Sequence, residues 1–183
     1  FFLDLKLHDI PNTVAGGIRA VIELAPTFIT LHASGGREML KAAVQESAAQ
    51  AGKLGVPRPK LLGVTVLTSL DRSDLEATGV NADPSDQAVR LAALARESGL
   101  DGVVCSPHEI AALRKACGKD FVLMVPGIRP TGSAANDQKR AMTPRQAVEL
   151  GASNLVVGRP IYTAADPRAA AEAIAREAGV NDL

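Results

Sequence analysis

The chain has 183 residues, of which 46% are hydrophobic and 22% are charged, and this length allows one globular domain with a substantial core. Lys and Arg together number 20, as do Asp and Glu, and this balance argues against a nucleic-acid-binding surface spread over the whole protein. No apolar run is long enough to span a bilayer, and no signal peptide is visible. The two cysteines, Cys105 and Cys117, match no zinc or CxxC spacing, which is typical of reduced thiols. We therefore expect a cytoplasmic protein with no membrane or nucleic-acid partner.

Six short apolar runs, most of them rich in Val, Leu and Ile, predict parallel strands that are buried on both faces. The runs cover residues 1–7, 27–33, 60–68, 102–106, 121–128 and 154–161. Amphipathic stretches separate them, and strand followed by helix, repeated with short links, is typical of a parallel α/β sheet.

The predicted helices are bounded by side-chain caps, first-turn prolines and terminal glycines. The expected caps are Thr13, Ser106, Thr143 and Asp166. The expected ends are Pro26, Gly52, Gly99, Gly151 and Gly179. The first helix should bury a stripe from Val14 to Ala25, the second should cover residues 37–51, and the third should begin near Ser85.

Six strand–helix units fit a flavodoxin-like or Rossmann sheet, whereas a (β/α)8 barrel needs two more units. No strand is followed by GxGxxG, which weakens the Rossmann interpretation.

One connection, residues 129–142, is long and polar, has no helical period, and contains Pro and Gly. Loops of this kind are often functional lids, and a tolerated surface insertion is the alternative.

Polar residues cluster where the predicted strands end, which is the edge at which α/β folds bind ligands. Because strand side chains alternate, one face of the first strand should carry Phe1, Leu3, Leu5 and Leu7, and the other face Phe2, Asp4, Lys6 and His8. An unpaired charge inside a sheet is costly, so Asp4 and Lys6 must pair with each other or serve a ligand. A structural ion pair is one interpretation. The other is a row of alternating charges, continued by Asp9, that keeps Lys6 protonated and delivers its proton to a carbanion.

The Gly158-Arg159 dipeptide, which interrupts the last apolar run, is suited to binding a phosphate. Glycine lets backbone N–H groups approach the phosphate, and arginine donates two hydrogen bonds to its oxygens. Arg129 and Gln138, on the long loop, would close over the same group. No set of His, Cys and carboxylate residues has metal-ligand spacing, so we predict no metal.

The stretches DLKLHDIPNT, LHASGG, VTVLTS, DGVVCS, PGIRPTGSAANDQKR and VVGRPI, in this order, resemble orotidine 5′-phosphate decarboxylases of the bacterial type over nearly the whole chain. DxKxxDIPNT combined with GIRP…DQ…GRPI is specific, whereas DxKxxD alone also occurs in sugar-phosphate lyases of the same superfamily. The resemblance implies a homodimeric (β/α)8 TIM barrel without metal or organic cofactor. Such an enzyme converts orotidine 5′-monophosphate to UMP and CO2, the last step of de novo pyrimidine nucleotide synthesis.

The resemblance also implies a role for each matching residue. Lys6 would donate a proton to C6 of the pyrimidine, and Asp4 would lie beside the substrate carboxylate. Thr68 would contact the pyrimidine. The residues expected to reach the partner subunit's site are Asp9, Ile10 and Thr13. Asp9 is also expected to be catalytic. The residues expected to hold the phosphate are Arg129, Gln138, Gly158 and Arg159.

Family members have two further strand–helix units upstream, which supply an aspartate to the ribose and a lysine that completes a Lys-Asp-Lys-Asp array. We therefore expect residues 1–183 to be a single α/β-barrel domain without its first two units, poorly stable and weakly active or inactive in isolation. Two other functions stay open. Metal-dependent activity on sugar phosphates would indicate a Mg²⁺-dependent lyase or decarboxylase of the same superfamily, and UMP binding without turnover would indicate a non-catalytic nucleotide-binding protein.

Overall fold

Six parallel strands form one sheet in the computed structural model, which describes residues 1–131 and 142–180. The strands are β1 (Phe2–Leu7), β2 (Phe28–His32), β3 (Lys60–Val64), β4 (Gly102–Val104), β5 (Val122–Val125) and β6 (Asn154–Leu155). Each strand pairs in parallel with the next one along the chain. The six strands and their parallel arrangement confirm the prediction from the apolar runs.

Helices connect the strands, as parallel pairing requires. They are α1 (Pro11–Val21), α2 (Arg37–Leu54), α3 (Arg72–Ala77), α4 (Pro84–Glu97), α5 (Ile110–Cys117), α6 (Pro144–Glu149), α7 (Arg159–Tyr162) and α8 (Pro167–Glu177). Pairing in strict chain order is the topology of a barrel, whereas a Rossmann or flavodoxin-like sheet reverses its strand order at a switch point. The chain thus contains six of the eight strand–helix units of a (β/α)8 barrel, with β1 and β6 at the edges of the described sheet.

The two faces of the sheet carry different apolar clusters, because successive strand residues point to opposite sides. One face packs against the helices, with residues such as Ile29, Leu61 and Leu123 fully buried against α1, α2, α4 and α5. The other face carries a smaller cluster made of strand and strand-end residues alone. Its members are Phe2, Phe28, Leu62, Val104, Val122, Met124 and Val156. This second face corresponds to the interior of a barrel.

Several predicted helix features are confirmed. The buried stripe of α4 consists of Ala88, Leu91, Ala92 and Ala95. Ser106 and Thr143 each form a capping box with the residue three positions later, and the Asp166 carboxylate accepts the Ala169 N–H at 2.9 Å. Each of these caps is followed by proline, which has no N–H to leave unsatisfied in the first turn.

The first helix begins and ends earlier than predicted. Pro11 is its first residue and Ile10 its N-cap, so Thr13 lies inside the helix and its predicted capping role is wrong. Proline fixes the φ angle that a helix start needs, which replaces a side-chain cap here. The helix ends at Val21, and Ala25 adopts φ +49 and is exposed, so it does not continue the buried stripe.

The predicted end of α2 at Gly52 is also wrong. The helix continues through Gly52 to Leu54 and ends where Gly55 adopts φ +67 and donates its N–H to the Ala51 carbonyl. Glycine inside a helix costs only about 1 kcal/mol, so it does not by itself terminate one. The short helix α3 was not predicted, because six residues are too few to show a helical period.

All six strands are shorter than their apolar runs, and β3 and β6 show this most clearly. The run over residues 60–68 forms a strand only to Val64, and the run over 154–161 only to Leu155. Val66 is buried although it lies beyond the end of β3, and Arg159–Tyr162 forms α7. Apolar side chains fill the space beyond the strand ends, so the length of an apolar run exceeds that of its hydrogen-bonded ladder.

Candidate active site

The first strand contains a bulge where the charged residues lie. Its register with β2 is defined by two flanking pairs, Leu3 with Ile29 and Leu7 with Leu31. Four residues along β1 therefore advance the pairing by only two residues along β2. Within this stretch Lys6 adopts φ +52, which is uncommon for any residue other than glycine. Bulges re-aim side chains next to functional sites. The simple alternation predicted for this strand is wrong at Leu5, which is 43% exposed instead of packed with Leu3 and Leu7.

Asp4 and Lys6 form an ion pair within the bulge. The Lys6 Nζ lies 2.5 Å from Asp4 Oδ2, and both side chains are about 40% exposed. The hydroxyl of Thr30, on β2, donates to Asp4 Oδ1 at 2.7 Å and accepts the backbone N–H of Lys6 at 2.9 Å. Both carboxylate oxygens thus have a partner, and the two charges pair with each other, which is one of the two alternatives that the sequence left open. A carboxylate and an ammonium held at a strand end can exchange a proton with a bound substrate.

Two histidines lie at the ends of the first two strands. The rings of His8 and His32 are 5.1 Å apart between centroids and tilted by 32°. Burial lowers the pKa of His32, the nearby His8 and Lys6 lower it further, and Asp4 opposes them. Because its pKa lies below the ordinary value, His32 is mostly neutral at pH 7.

The three residues expected to reach a partner subunit lie at the start of α1. Asp9 Oδ1 accepts the Ile10 N–H at 2.6 Å, and both residues are exposed, Ile10 to 66%. Thr13 is exposed in the first turn of the helix. Among residues 1–131 and 142–180, no hydrogen bond or ion pair joins Asp9 to Asp4 or Lys6. The structure thus leaves these three side chains on the surface near the end of β1.

A cavity of about 890 Å³ opens beside the ends of β3, β4 and β5. Thr68 and Gly127 line it, as do several hydroxyl groups, including that of Ser106. Glu109 also lines the cavity although it is only 5% exposed, and its carboxylate accepts the Ser106 N–H at 2.9 Å. Burial raises the pKa of Glu109 to about 7, and the hydrogen bond from Ser106 opposes this rise. The predicted pyrimidine contact Thr68 therefore lies in the wall of a cavity large enough for a ligand.

The residues expected to hold phosphate follow the last two strands. Arg129 comes four residues after β5, and its N–H donates to the Met142 carbonyl at 3.0 Å. Gly158 is the N-cap of α7 and Arg159 its first residue, three and four residues after β6. Since β5 and β6 are neighbouring parallel strands, these loops lie at the same edge of the sheet. Gln138 lies outside the described residues.

Within the part of the chain that the structure describes, no three or more His, Cys, Asp or Glu residues are grouped so that they could hold a metal ion. In that same part, no helix is both long and apolar enough to cross a membrane. Cys105 and Cys117 are buried free thiols, and burial raises the pKa of each, so both are packing residues with little thiolate at neutral pH.

Thr30 is the site residue that sequence reasoning missed. It is fully buried in a strand that reads FITLH, so the run was interpreted as apolar packing. The signal was a hydroxyl in the middle of an otherwise apolar strand, because a buried hydroxyl must find a hydrogen-bond partner.

The comparisons with known proteins agree with this geometry. Residues 1–174 match the model of the Orotidine 5'-phosphate decarboxylase / HUMPS family. The orotidine 5'-phosphate decarboxylase of Rhodospirillum rubrum is 55% identical over 96% of this chain and 71% of its own length. That of Gluconobacter oxydans is 57% identical over 96% of this chain and 74% of its own length.

Solved structures give the same result for the fold. The chain superposes on the crystal structure of orotidine 5'-phosphate decarboxylase from Lactobacillus acidophilus with a TM-score of 0.86 and 44% sequence identity. The match covers 99% of this chain and 75% of that one. The orotidine 5'-phosphate decarboxylase from Pyrococcus horikoshii matches with a TM-score of 0.71 and 25% identity. The fold and site define an α/β-barrel protein with a charged pair at a strand end. The chain belongs to the Orotidine 5'-phosphate decarboxylase / HUMPS family.

Proposed function

We propose that this chain acts in an orotidine 5′-phosphate decarboxylase, a carboxy-lyase that converts orotidine 5′-monophosphate to UMP and CO2 in pyrimidine nucleotide synthesis. Curated relatives with that name are 52–57% identical to the chain over nearly all of its length. The observation that carries the proposal is the Asp4–Lys6 ion pair in the β1 bulge, at the ligand-binding edge of a barrel sheet.

The proposed chemistry uses both members of the pair. The bond between C6 of the pyrimidine and the carboxylate breaks, CO2 leaves, and the electron pair stays on C6. The Lys6 ammonium stabilises this negative charge and then donates a proton from Nζ to C6. Asp4 holds the ammonium through the ion pair at 2.5 Å and lies beside the leaving carboxylate. The proposed catalytic residues are therefore Lys6 and Asp4, with Asp9 supplied across a subunit interface.

The rest of the substrate is bound away from the reacting carbon. We assign the phosphate to a set of residues after β5 and β6, namely Arg129, Gln138, Gly158 and Arg159. Thr68 contacts the pyrimidine from the wall of the large cavity. Binding energy from a remote phosphate can drive closure of the site and orientation of the pyrimidine, and this lowers the barrier at C6. Support comes from the adjacent ends of β5 and β6.

Three further proposals concern the oligomeric state, the cellular location and the domain organisation. We propose a homodimer in which Asp9, Ile10 and Thr13 reach the partner's site, supported by their exposure at the start of α1. We propose a cytoplasmic location, supported by the two free cysteines. We propose that β1–β6 belong to a single eight-stranded barrel domain, since they pair in chain order and the solved relatives are longer than this chain.

The test is release of CO2 from orotidine 5′-monophosphate by the full-length gene product, with and without EDTA. Turnover that EDTA does not change supports the proposal and the metal-free chemistry together. Metal-dependent turnover of sugar phosphates, without turnover of orotidine 5′-monophosphate, would assign the chain to the lyases of the same superfamily. Binding of UMP by a folded protein that turns over neither substrate would indicate a binding role.

A further inference from the structure

We propose that Thr30 is a positioning residue for the reaction, because its hydroxyl holds Asp4 and the backbone of Lys6 in the arrangement that the chemistry needs. This inference rests on the proposed function, since it concerns the same charged pair. Thr30 is fully buried and touches the pair from the neighbouring strand. It is not among the residues that the resemblance assigned.

The hydroxyl of Thr30 is fixed in its direction. A hydroxyl has one proton to donate and two lone pairs that accept. The Lys6 N–H occupies a lone pair at 2.9 Å, and the hydroxyl proton points to Asp4 Oδ1 at 2.7 Å. Asp4 Oδ2 is occupied by the Lys6 ammonium. One oxygen of the Asp4 carboxylate is therefore bound by Thr30 on β2, and the other by Lys6 on β1. Together these two contacts fix the orientation of the carboxylate plane.

The same hydroxyl supports the bulge itself. Thr30 is the single residue between Ile29 and Leu31, which pair with the two ends of the bulged stretch. In this stretch the Lys6 N–H has lost a regular ladder partner on β2, and the Thr30 hydroxyl takes its place. A left-handed φ of +52 at a lysine is strained and persists only where the surroundings hold it. Thr30 supplies one of the hydrogen bonds that hold it.

Loss of this hydroxyl should therefore act on chemistry more than on substrate binding. A valine at position 30 has nearly the shape of threonine but can neither accept the Lys6 N–H nor donate to Asp4. The charged pair would then be free to shift, and a displacement of about 1 Å at a reacting group can cost about a hundredfold in rate. The residues assigned to phosphate follow β5 and β6 and not β2, so KM should change little.

The experiment compares Thr30→Val with Thr65→Val in the full-length gene product. Thr65 is the matched control, because it is also buried and its hydroxyl donates to the Val104 carbonyl at 2.9 Å, with no contact to the charged pair. We expect Thr30→Val to lower kcat by at least about tenfold with KM within about twofold, and Thr65→Val to leave both nearly unchanged. Equal kcat values for the two variants would overturn the inference.

A second pair of variants covers the case in which Thr30→Val does not fold. Thr30→Ser and Thr30→Ala differ by one hydroxyl oxygen. Ser should keep kcat within about threefold of the wild type, and Ala should lose at least about tenfold. Equal values for Ser and Ala would refute a positioning role.

A readout that does not need turnover separates this inference from the proposed function. Failure of the wild-type protein to decarboxylate orotidine 5′-monophosphate would contradict the proposed function alone. Hydrogen exchange at the Lys6 amide would still report on Thr30, because that N–H donates to its hydroxyl. Faster exchange at Lys6 in Thr30→Ala than in Thr30→Ser supports the inference, and equal exchange overturns it.

Discussion

Burial of Glu109 should make the stability of the protein depend on pH. This residue is 5% exposed in the wall of the large cavity, and burial raises its pKa from an ordinary 4.5 to about 7. The folded protein therefore binds the Glu109 proton more tightly than the unfolded chain does. The stabilisation from that proton is complete below pH 4.5 and is lost as pH rises through about 7.

The size of the effect follows from the two pKa values. They differ by roughly 2.5 units, and each unit corresponds to about 1.4 kcal/mol, so the loss of unfolding free energy is about 3 kcal/mol. Glu109→Gln removes the titration and keeps a side-chain oxygen that accepts the Ser106 N–H. The difference in unfolding free energy between wild type and Glu109→Gln should thus fall steadily over this pH window.

The assay is urea unfolding of the full-length gene product at intervals between pH 4.5 and pH 8. Glu149→Gln, at an exposed residue at the end of α6, is the matched control and should follow the wild type at every pH. A difference between wild type and Glu109→Gln that stays constant within about 1 kcal/mol over this window would refute the argument from burial.

Three other substitutions should change stability in ways that urea unfolding measures directly. Gly102→Ala should lower the free energy of unfolding by at least about 2 kcal/mol, because its Cβ would lie 2.2 Å from the Val122 carbonyl oxygen on β5. Gly52→Ala, in open space within α2, should instead raise the free energy of unfolding by about 0.5–1 kcal/mol. An equal effect at both glycines would contradict this reasoning. Arg114→Met should cost about 3 kcal/mol, because its guanidinium donates to four backbone carbonyls and one serine hydroxyl at the start of β5 and β6. Arg168→Met, at a side chain that is 90% exposed, should stay within about 0.5 kcal/mol of the wild type, and a similar loss for both arginines would refute the role of Arg114.

The features that sequence predicted well are those with a local physical cause. The buried stripe of α4 follows from the spacing of its alanines and leucine, and the start of α6 follows from Thr143 followed by proline. Gly52 misled the prediction because a glycine tolerates a helix interior, and only the left-handed backbone of Gly55 marks the true end. Residue type alone does not indicate which of these two glycines ends the helix.

The geometry of the site depends on pairing between strands that are distant along the chain. The bulge in β1 exists only in relation to β2, so the sequence of β1 alone predicted a regular strand with Leu5 on the same face as Leu3 and Leu7. Thr30 was missed for the same reason, since its hydroxyl matters only beside Asp4 and Lys6. Residue patterns indicated a charged pair at a strand end, and the family resemblance was needed to propose its substrate.

The measurement that tests the account most directly is the turnover of orotidine 5′-monophosphate by Lys6→Ala in the full-length gene product, with UMP binding as the check on folding. Lys6 is proposed both to stabilise the charge at C6 and to donate the proton. The variant should therefore lose at least about 10³-fold in kcat while it still binds UMP. A Lys6→Ala protein that keeps kcat within about tenfold of the wild type would contradict the proposed role of the charged pair.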